Sequence, residues 1–161
     1  MVYRPIQTIL LADDNTDDCE LVKEAWTEFP IGERLRVVND GIELLDYLHR
    51  RGEFMSPESS PRPSVILLDL QMPIMTGGEA LMEIKQDSAL ASIPIVVLTT
   101  SKAPRDILHT AGFGVNGYML KPNTFAGYLQ IFANLREHWA EILDRPLSGG
   151  GGNWSGNLAW C

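Results

Sequence analysis

The chain has 161 residues, 45% of them hydrophobic and 21% charged, which suits one globular domain with its own core and excludes a disordered or fibrous chain. Its 21 acidic against 13 basic residues leave a formal net charge of -8. No surplus of Lys and Arg exists to displace counterions from a nucleic-acid backbone, so no nucleic-acid partner is expected, and the balance suits cations or basic partner surfaces.

"TILLA" (8–12) is the first of several short apolar runs, too short for a helix and bounded by polar residues, so it predicts a buried strand. In "DDCELVKEAWTEF", Leu21, Val22, Ala25, Trp26 and Phe29 recur at helical spacing. "LRVVN" (35–39) predicts a second buried strand, and Ile42, Leu45 and Leu48 in "GIELLDYLHRRG" a second helix. "RRGEFMSPESSPRPS" (50–64) is polar and carries Pro57, Pro61 and Pro63, which predicts a long loop. "SVILLDL" (64–70) is the third strand, and "GGEALMEIKQD" offers Ala80, Leu81 and Ile84 to a third helix. "IPIVVLTT" (93–100) is the fourth strand, "RDILHTAGF" (105–113) a shorter helical pattern, and "GYML" (117–120) a weaker fifth strand. The longest helical pattern runs over 124–143, with Phe125, Leu129, Phe132, Leu135 and Trp139 on one face. The Gly- and Ser-rich segment 146–161 predicts a tail after a domain over 1–145, although Trp154, Leu158 and Trp160 are more than an inert linker needs.

Strand and helix thus alternate five times, which predicts an α/β fold with a parallel sheet covered by helices on both faces. The flavodoxin-like strand order 2-1-3-4-5 is the usual solution for five such units. Cys19 and Cys161 make no disulfide or zinc framework, which suits a reducing, cytoplasmic compartment. No apolar run approaches the ~20 residues a bilayer span needs, and Arg4, Pro5 and Gln7 interrupt any signal-peptide core, so no membrane partner is expected.

In an open parallel sheet, ligands bind beyond the carboxyl ends of the strands. The first strand ends in Asp13 and Asp14, the third in Asp69, the fourth in Thr99, and the fifth runs into Lys121 and Pro122. With the order 2-1-3-4-5 these ends are neighbours, so three carboxylates, a hydroxyl and an ammonium converge on one crevice. Converging carboxylates make a hard oxygen site of the kind Mg²⁺ takes, and a cation there relieves their mutual repulsion. Asp69 is placed to act as a carboxylate nucleophile toward phosphorus, with Thr99 and Lys121 stabilising the transferred group. Asp17 and Asp18 fall in the first turn of the first helix, capped by Asn15 or Thr16, where the helix dipole favours negative charge.

The blocks "ILLADDN", "ILLDLQMPIMTGGEAL", "IPIVVLTTS" and "GYMLKP" resemble the receiver domain of bacterial response regulators over about residues 6 to 143. The resemblance implies that Asp69 is the phosphoacceptor and that Asp13 and Asp14 hold Mg²⁺ together with Asp69 and the backbone carbonyl of Gln71. It implies that Thr99 is the switch hydroxyl, Lys121 its paired lysine, and Tyr118 the aromatic whose rotamer couples to Thr99, though a strand aromatic needs no such role. It further implies a cis Lys121–Pro122 bond, and a loop after the acceptor built on Pro73 and Gly77. The receiver catalyses its own phosphorylation from a kinase phosphohistidine and its own dephosphorylation, so it turns over no external substrate. Thr76 stands where the family often has Asp, which alters the loop and not the chemistry. Gln71 and Ser101 occupy positions that tune phosphoryl lifetime.

The acceptor lies further from the acidic pair than is usual, and "GEFMSPESSPRPS" accounts for it. That loop, "LLDL", "LTTS" and a Trp near the end of the last helix resemble the small receivers that serve phytochrome-type histidine kinases. The residues after Leu143 are too few for an output domain, so the signal is expected to pass by protein contact, with a partner or as a homodimer through the fourth and fifth helices. Two other chemistries fit poorly. An EF-hand loop from Asp13 to Glu24 would put Asp18 where the turn needs Gly. A haloacid-dehalogenase-type phosphatase would need a second acid two residues after its nucleophile, where Gln71 stands.

Overall fold

The computed structural model describes residues 5–100 and 114–144. The five apolar runs form β1 (Thr8–Ala12), β2 (Arg34–Val38), β3 (Val65–Asp69), β4 (Ile95–Thr99) and β5 (Gly117–Leu120). All neighbouring strands pair in parallel, in the order β2-β1-β3-β4-β5. Among the described residues the helices are α1 (Thr16–Glu28), α2 (Gly41–His49), α3 (Gly77–Gln86), α4 (Phe125–Glu137) and α5 (Trp139–Asp144). The helical pattern predicted over 105–113 and the tail over 146–161 lie outside the described residues.

Side chains alternate across each strand, so one sheet feeds two cores. Leu10, Ala12, Ile66, Leu68 and Val97 face α2 and α3, where Leu44, Leu45, Ala80, Leu81 and Ile84 cover them. Ile9, Leu11, Leu67, Val96 and Leu98 face α1 and α4, where Val22, Ala25, Ile131, Phe132 and Leu135 pack. Trp26 meets Phe132 edge-to-face at 5.7 Å between α1 and α4. Burial on both faces is why β1, β3 and β4 are continuous apolar runs.

Two expectations change, and the long loop gains detail. β2 is not buried on both faces: Arg34 is exposed, and Leu35, Arg36 and Val37 are half-buried, because this strand lies at the sheet edge. The long loop forms as expected and is tied to the domain. Arg34 donates to the Glu58 carbonyl at 3.1 Å, Arg36 to the Ser59 carbonyl at 3.2 Å, and Tyr47 Oη to the Pro61 carbonyl at 2.8 Å. A short 3₁₀ turn, Gly52–Phe54, starts it, and Phe54 packs against Tyr47.

The helical pattern over 124–143 is broken at His138, whose φ of -103° and ψ of 16° end α4. The break lets α5 tuck Trp139 and Ile142 into the core. Asn116 holds them there, donating through Nδ2 to the Ile142 carbonyl at 2.7 Å while its Oδ1 accepts from Ile95 N at 3.1 Å.

Candidate functional site

Asp13 follows β1 directly. Its amide still donates to the Val38 carbonyl at 3.0 Å, so the pairing of β1 with β2 fixes where its side chain starts. The residue is buried, and its Oδ1 accepts from Asn15 N at 2.9 Å. Asn15 in turn caps α1, its Oδ1 accepting from Asp18 N at 3.0 Å, so Asn15 and not Thr16 is the cap. Asp14 is exposed on the rim.

Asp69 is the last residue of β3 and is 5% exposed; its Oδ1 accepts from Gln71 N at 3.1 Å. The loop after it is tightly built. Gly77 N donates to the Leu70 carbonyl at 3.0 Å, and a Cβ at Gly77 would collide with the Asp69 carbonyl oxygen and sit 2.7 Å from Leu70 Cα. Only glycine allows that approach. Thr76 caps α3 in a reciprocal box with Glu79, each side chain accepting from the other's amide at 3.1 Å. This is how the chain accommodates Thr at that position. Ile74, at φ 68° and 78% exposed, turns the loop, with Met75 N donating to the Pro73 carbonyl at 2.7 Å.

Thr99 ends β4 and is 1% exposed. Lys121 follows β5, and its amide donates to the Thr99 carbonyl at 2.8 Å, which ties the lysine to the end of β4. Tyr118 is fully buried in the core facing α2 and α3, one strand from Thr99. The expected cis Lys121–Pro122 bond is absent: no cis peptide occurs among the described residues. The trans form is the intrinsically favoured one for X–Pro bonds, and here it leads straight to Thr124, which caps α4 by accepting from Gly127 N at 3.0 Å.

The side chains converge as the strand order predicts. Asp13, Asp14 and Asp69 can each offer one carboxylate oxygen, all within 4.8 Å of one another. Three carboxylate oxygens at the end of a parallel sheet, with room for water on the open side of Asp14, fit a hard divalent cation such as Mg²⁺. Gln71 lies on the rim of the same crevice with Asn15 and Thr100.

The electrostatic centre is Lys121. Its Nζ lies 2.8 Å from Asp18 Oδ2, 2.9 Å from Asp13 Oδ2 and 3.2 Å from Asp69 Oδ2. Burial works against the ammonium, but the hydrogen bonds to Asp18 and Asp13 and the charges of Asp13 and Asp69 outweigh it and hold its pKa well above the usual lysine value. The pKa of Asp13 is raised as well, which for a carboxylate disfavours the charged form: burial raises it more than the Asn15 amide and Lys121 lower it.

The sequence places Asp18 at the helix start alone; the structure also makes it the shortest ion-pair partner of Lys121. A usable signal was present. α1 begins directly where β1 ends, so a residue one turn beyond Asp14 returns to the strand's carboxyl end. Two further neighbours were not foreseen. Cys19 donates through Sγ to the Asp13 carbonyl at 3.4 Å, and burial, then the charge of Asp13, pushes its thiol up to about 11, so it stays protonated at neutral pH. Tyr128 on α4 is fully buried, and its hydroxyl has no hydrogen-bond partner among the described residues. Burial, then the charge of Asp18, pushes that phenol well above its usual range. An unsatisfied buried hydroxyl is destabilising, so Tyr128→Phe is expected to raise the unfolding free energy by about 1 kcal/mol. Urea unfolding measures it; a loss of stability would show that the hydroxyl has a partner in solution.

Residues 9–132 match the response regulator receiver domain family. Response regulator Rcp1 of Synechocystis sp. is 36% identical over 144 residues, 89% of this chain and 96% of the relative. Among solved structures, the phosphorylated cyanobacterial phytochrome response regulator RcpA is 37% identical, with a TM-score of 0.74 over 84% of this chain and 94% of that one. The Mn²⁺-bound form of response regulator Rcp1 is 36% identical, with a TM-score of 0.73 over 87% of this chain and 99% of that one. A flavodoxin-like sheet in the order 2-1-3-4-5, acidic where β1 and β3 end, carries the same conclusion as these matches: the chain belongs to the response regulator receiver family of two-component signalling.

Proposed function

We propose that this receiver takes a phosphoryl group onto Asp69 from the phosphohistidine of a histidine kinase, a phytochrome-type kinase being the partner its relatives suggest. The observation that carries the reading is the convergence of Asp13, Asp14, Asp69 and Lys121 at the ends of adjacent strands, with Asp69 buried at the base of an open crevice. Asp13, Asp14, Asp69 and the Gln71 backbone carbonyl would hold Mg²⁺. Bound there, the ion supplies positive charge for the oxygens of the transferred group.

The remaining chemistry belongs to the chain. A carboxylate oxygen of Asp69 forms the new O–P bond as the N–P bond of the phosphohistidine breaks, and the electron pair leaves on the imidazole. Asp69 Oδ1 accepts from Gln71 N and Oδ2 accepts from Lys121 Nζ, so both oxygens of the nucleophile are held in place at the crevice. Lys121 and the Thr99 hydroxyl stabilise the equatorial oxygens of the phosphoryl group, a matter of positioned charge more than of covalent chemistry. The same site catalyses hydrolysis of the acyl phosphate, so the domain acts as a self-resetting switch and turns over no external substrate. The receiver spans residues 1–145, followed by the tail 146–161. Its output is a phosphorylation-dependent protein contact, including a homodimer through segment 105–113 and α4.

The test uses acetyl phosphate with Mg²⁺. Intact mass is expected to rise by one phosphoryl group, borohydride reduction followed by peptide mapping to mark Asp69, and EDTA to block the change. The phosphorylated form should sediment as a dimer. No labile phosphoryl adduct refutes the acceptor reading; an adduct with unchanged sedimentation refutes the dimer alone.

A further inference from the structure

Lys121 spends its three donors on three carboxylates, and these are not equivalent. Asp13 and Asp69 belong to the cluster that can gather round a cation; Asp18 does not. Yet Asp18 makes the shortest of the three contacts, at 2.8 Å. It is also pre-positioned: its amide is pinned by Asn15 Oδ1 at 3.0 Å, and its side chain is 18% exposed, against 9% for Lys121.

A divalent cation gathered by Asp13 and Asp69 would share two of the three partners of Lys121 and set a like charge beside it. Asp18 is the one carboxylate that the ammonium would not share. A salt bridge this well shielded from water keeps its strength where a surface pair would not. Asp17, in the same helical turn and of the same charge, is exposed and serves as the internal comparison. It shares any benefit from the helix dipole but has no contact with Lys121.

We propose that Asp18 is a positioning residue: it keeps the Lys121 ammonium aimed at the acceptor carboxylate when the cation site is filled, and so sets the rate of phosphoryl transfer to Asp69. The inference rests on Asp69 being the acceptor. Its content is separate, because it concerns where Lys121 goes and can be read without any phosphoryl transfer.

The experiment compares Asp18→Ala, Asp18→Asn and Asp17→Ala with wild type in the full chain, after thermal melts confirm that each folds. Phosphorylation by acetyl phosphate at saturating Mg²⁺ is expected to slow about tenfold in D18A, the scale on which a displaced charge stabiliser costs rate. D18N should fall between D18A and wild type, because it keeps an acceptor oxygen without the charge. D17A should match wild type. The second readout is the lysine ammonium resonance of Lys121 in ¹H–¹⁵N spectra with Mg²⁺ and beryllofluoride. It should stay sharp in wild type and D17A and be lost to solvent exchange in D18A. A rate and an ammonium signal in D18A equal to those of D17A overturn the proposal. If wild type itself accepts no phosphoryl group, the acceptor reading fails, and the ammonium signal recorded with Mg²⁺ alone still decides the role of Asp18.

Discussion

Replacing Asp69 by Asn is expected to abolish phosphorylation while leaving the unfolding free energy within about 1 kcal/mol of wild type. The chemical loss follows from the nucleophile: an amide oxygen lacks the charge with which a carboxylate attacks phosphorus. The small structural effect follows from the contacts. The replacement keeps an oxygen to accept from Gln71 N, and Lys121 keeps its two shorter ion pairs, to Asp13 and Asp18. Asp69 makes the longest of the three, at 3.2 Å, and its charge is among the causes that push the pKa of Asp13 up. Removing it therefore relieves repulsion as it removes an attraction, and each is modest beside a one-sided loss of charge. Intact mass after acetyl phosphate treatment and urea unfolding check the two halves. A variant that still takes up a phosphoryl group would place the acceptor elsewhere.

Lys121→Met is expected to cost stability as well as phosphoryl transfer. It strips the ammonium from three carboxylates at once and leaves Asp13, Asp18 and Asp69 facing one another. Deleting one partner of a buried ion pair costs about 3–5 kcal/mol, and the partial exposure of Asp18 places the expected cost here near the lower end, about 3 kcal/mol. The deficit should depend on Mg²⁺, because a cation among the carboxylates replaces the lost charge and stabilises the folded state by mass action. The Tm of the variant should therefore rise with Mg²⁺ more than that of wild type.

The deficit should also depend on pH. Without Lys121, one of the groups that lower the pKa of Asp13 is gone, so a carboxyl already raised by burial rises further. A folded pKa above the unfolded one means stability present at low pH and lost as pH rises through the folded value. In metal-free buffer the gap between variant and wild type should narrow on acidification below neutral pH. Melts across pH with EDTA and with Mg²⁺ measure both effects. A Tm deficit independent of Mg²⁺ would mean that Lys121 stabilises by packing and not by charge.

Most of the site was legible because strand order converts sequence into place. Asp13, Asp69, Thr99 and Lys121 each stand at a strand's carboxyl end, and the alternation of strands and helices left few topologies. Asp18 was not legible in its full role because helix-start chemistry already explained an acidic residue there, and only three dimensions show that the same side chain reaches Lys121. The half-burial of β2 was hidden for a similar reason: its apolar residues suit a central strand, and edge position is a property of the whole sheet. The break at His138 was invisible to periodicity, since Trp139 continues the apolar stripe; Asn116, distant in sequence, captures the Ile142 carbonyl and turns the last segment inward.

The grip of Arg34 and Arg36 on the 55–61 loop bears on how copies of this protein can meet. An exposed edge strand offers unpaired backbone groups as a template for another strand, which is a route to uncontrolled polymerisation. Two arginines on an edge of five residues, each engaged with a loop carbonyl, make β2 a charged and partly shielded border. The loop that lengthens this receiver thus also guards the β2 edge of its sheet against a second copy.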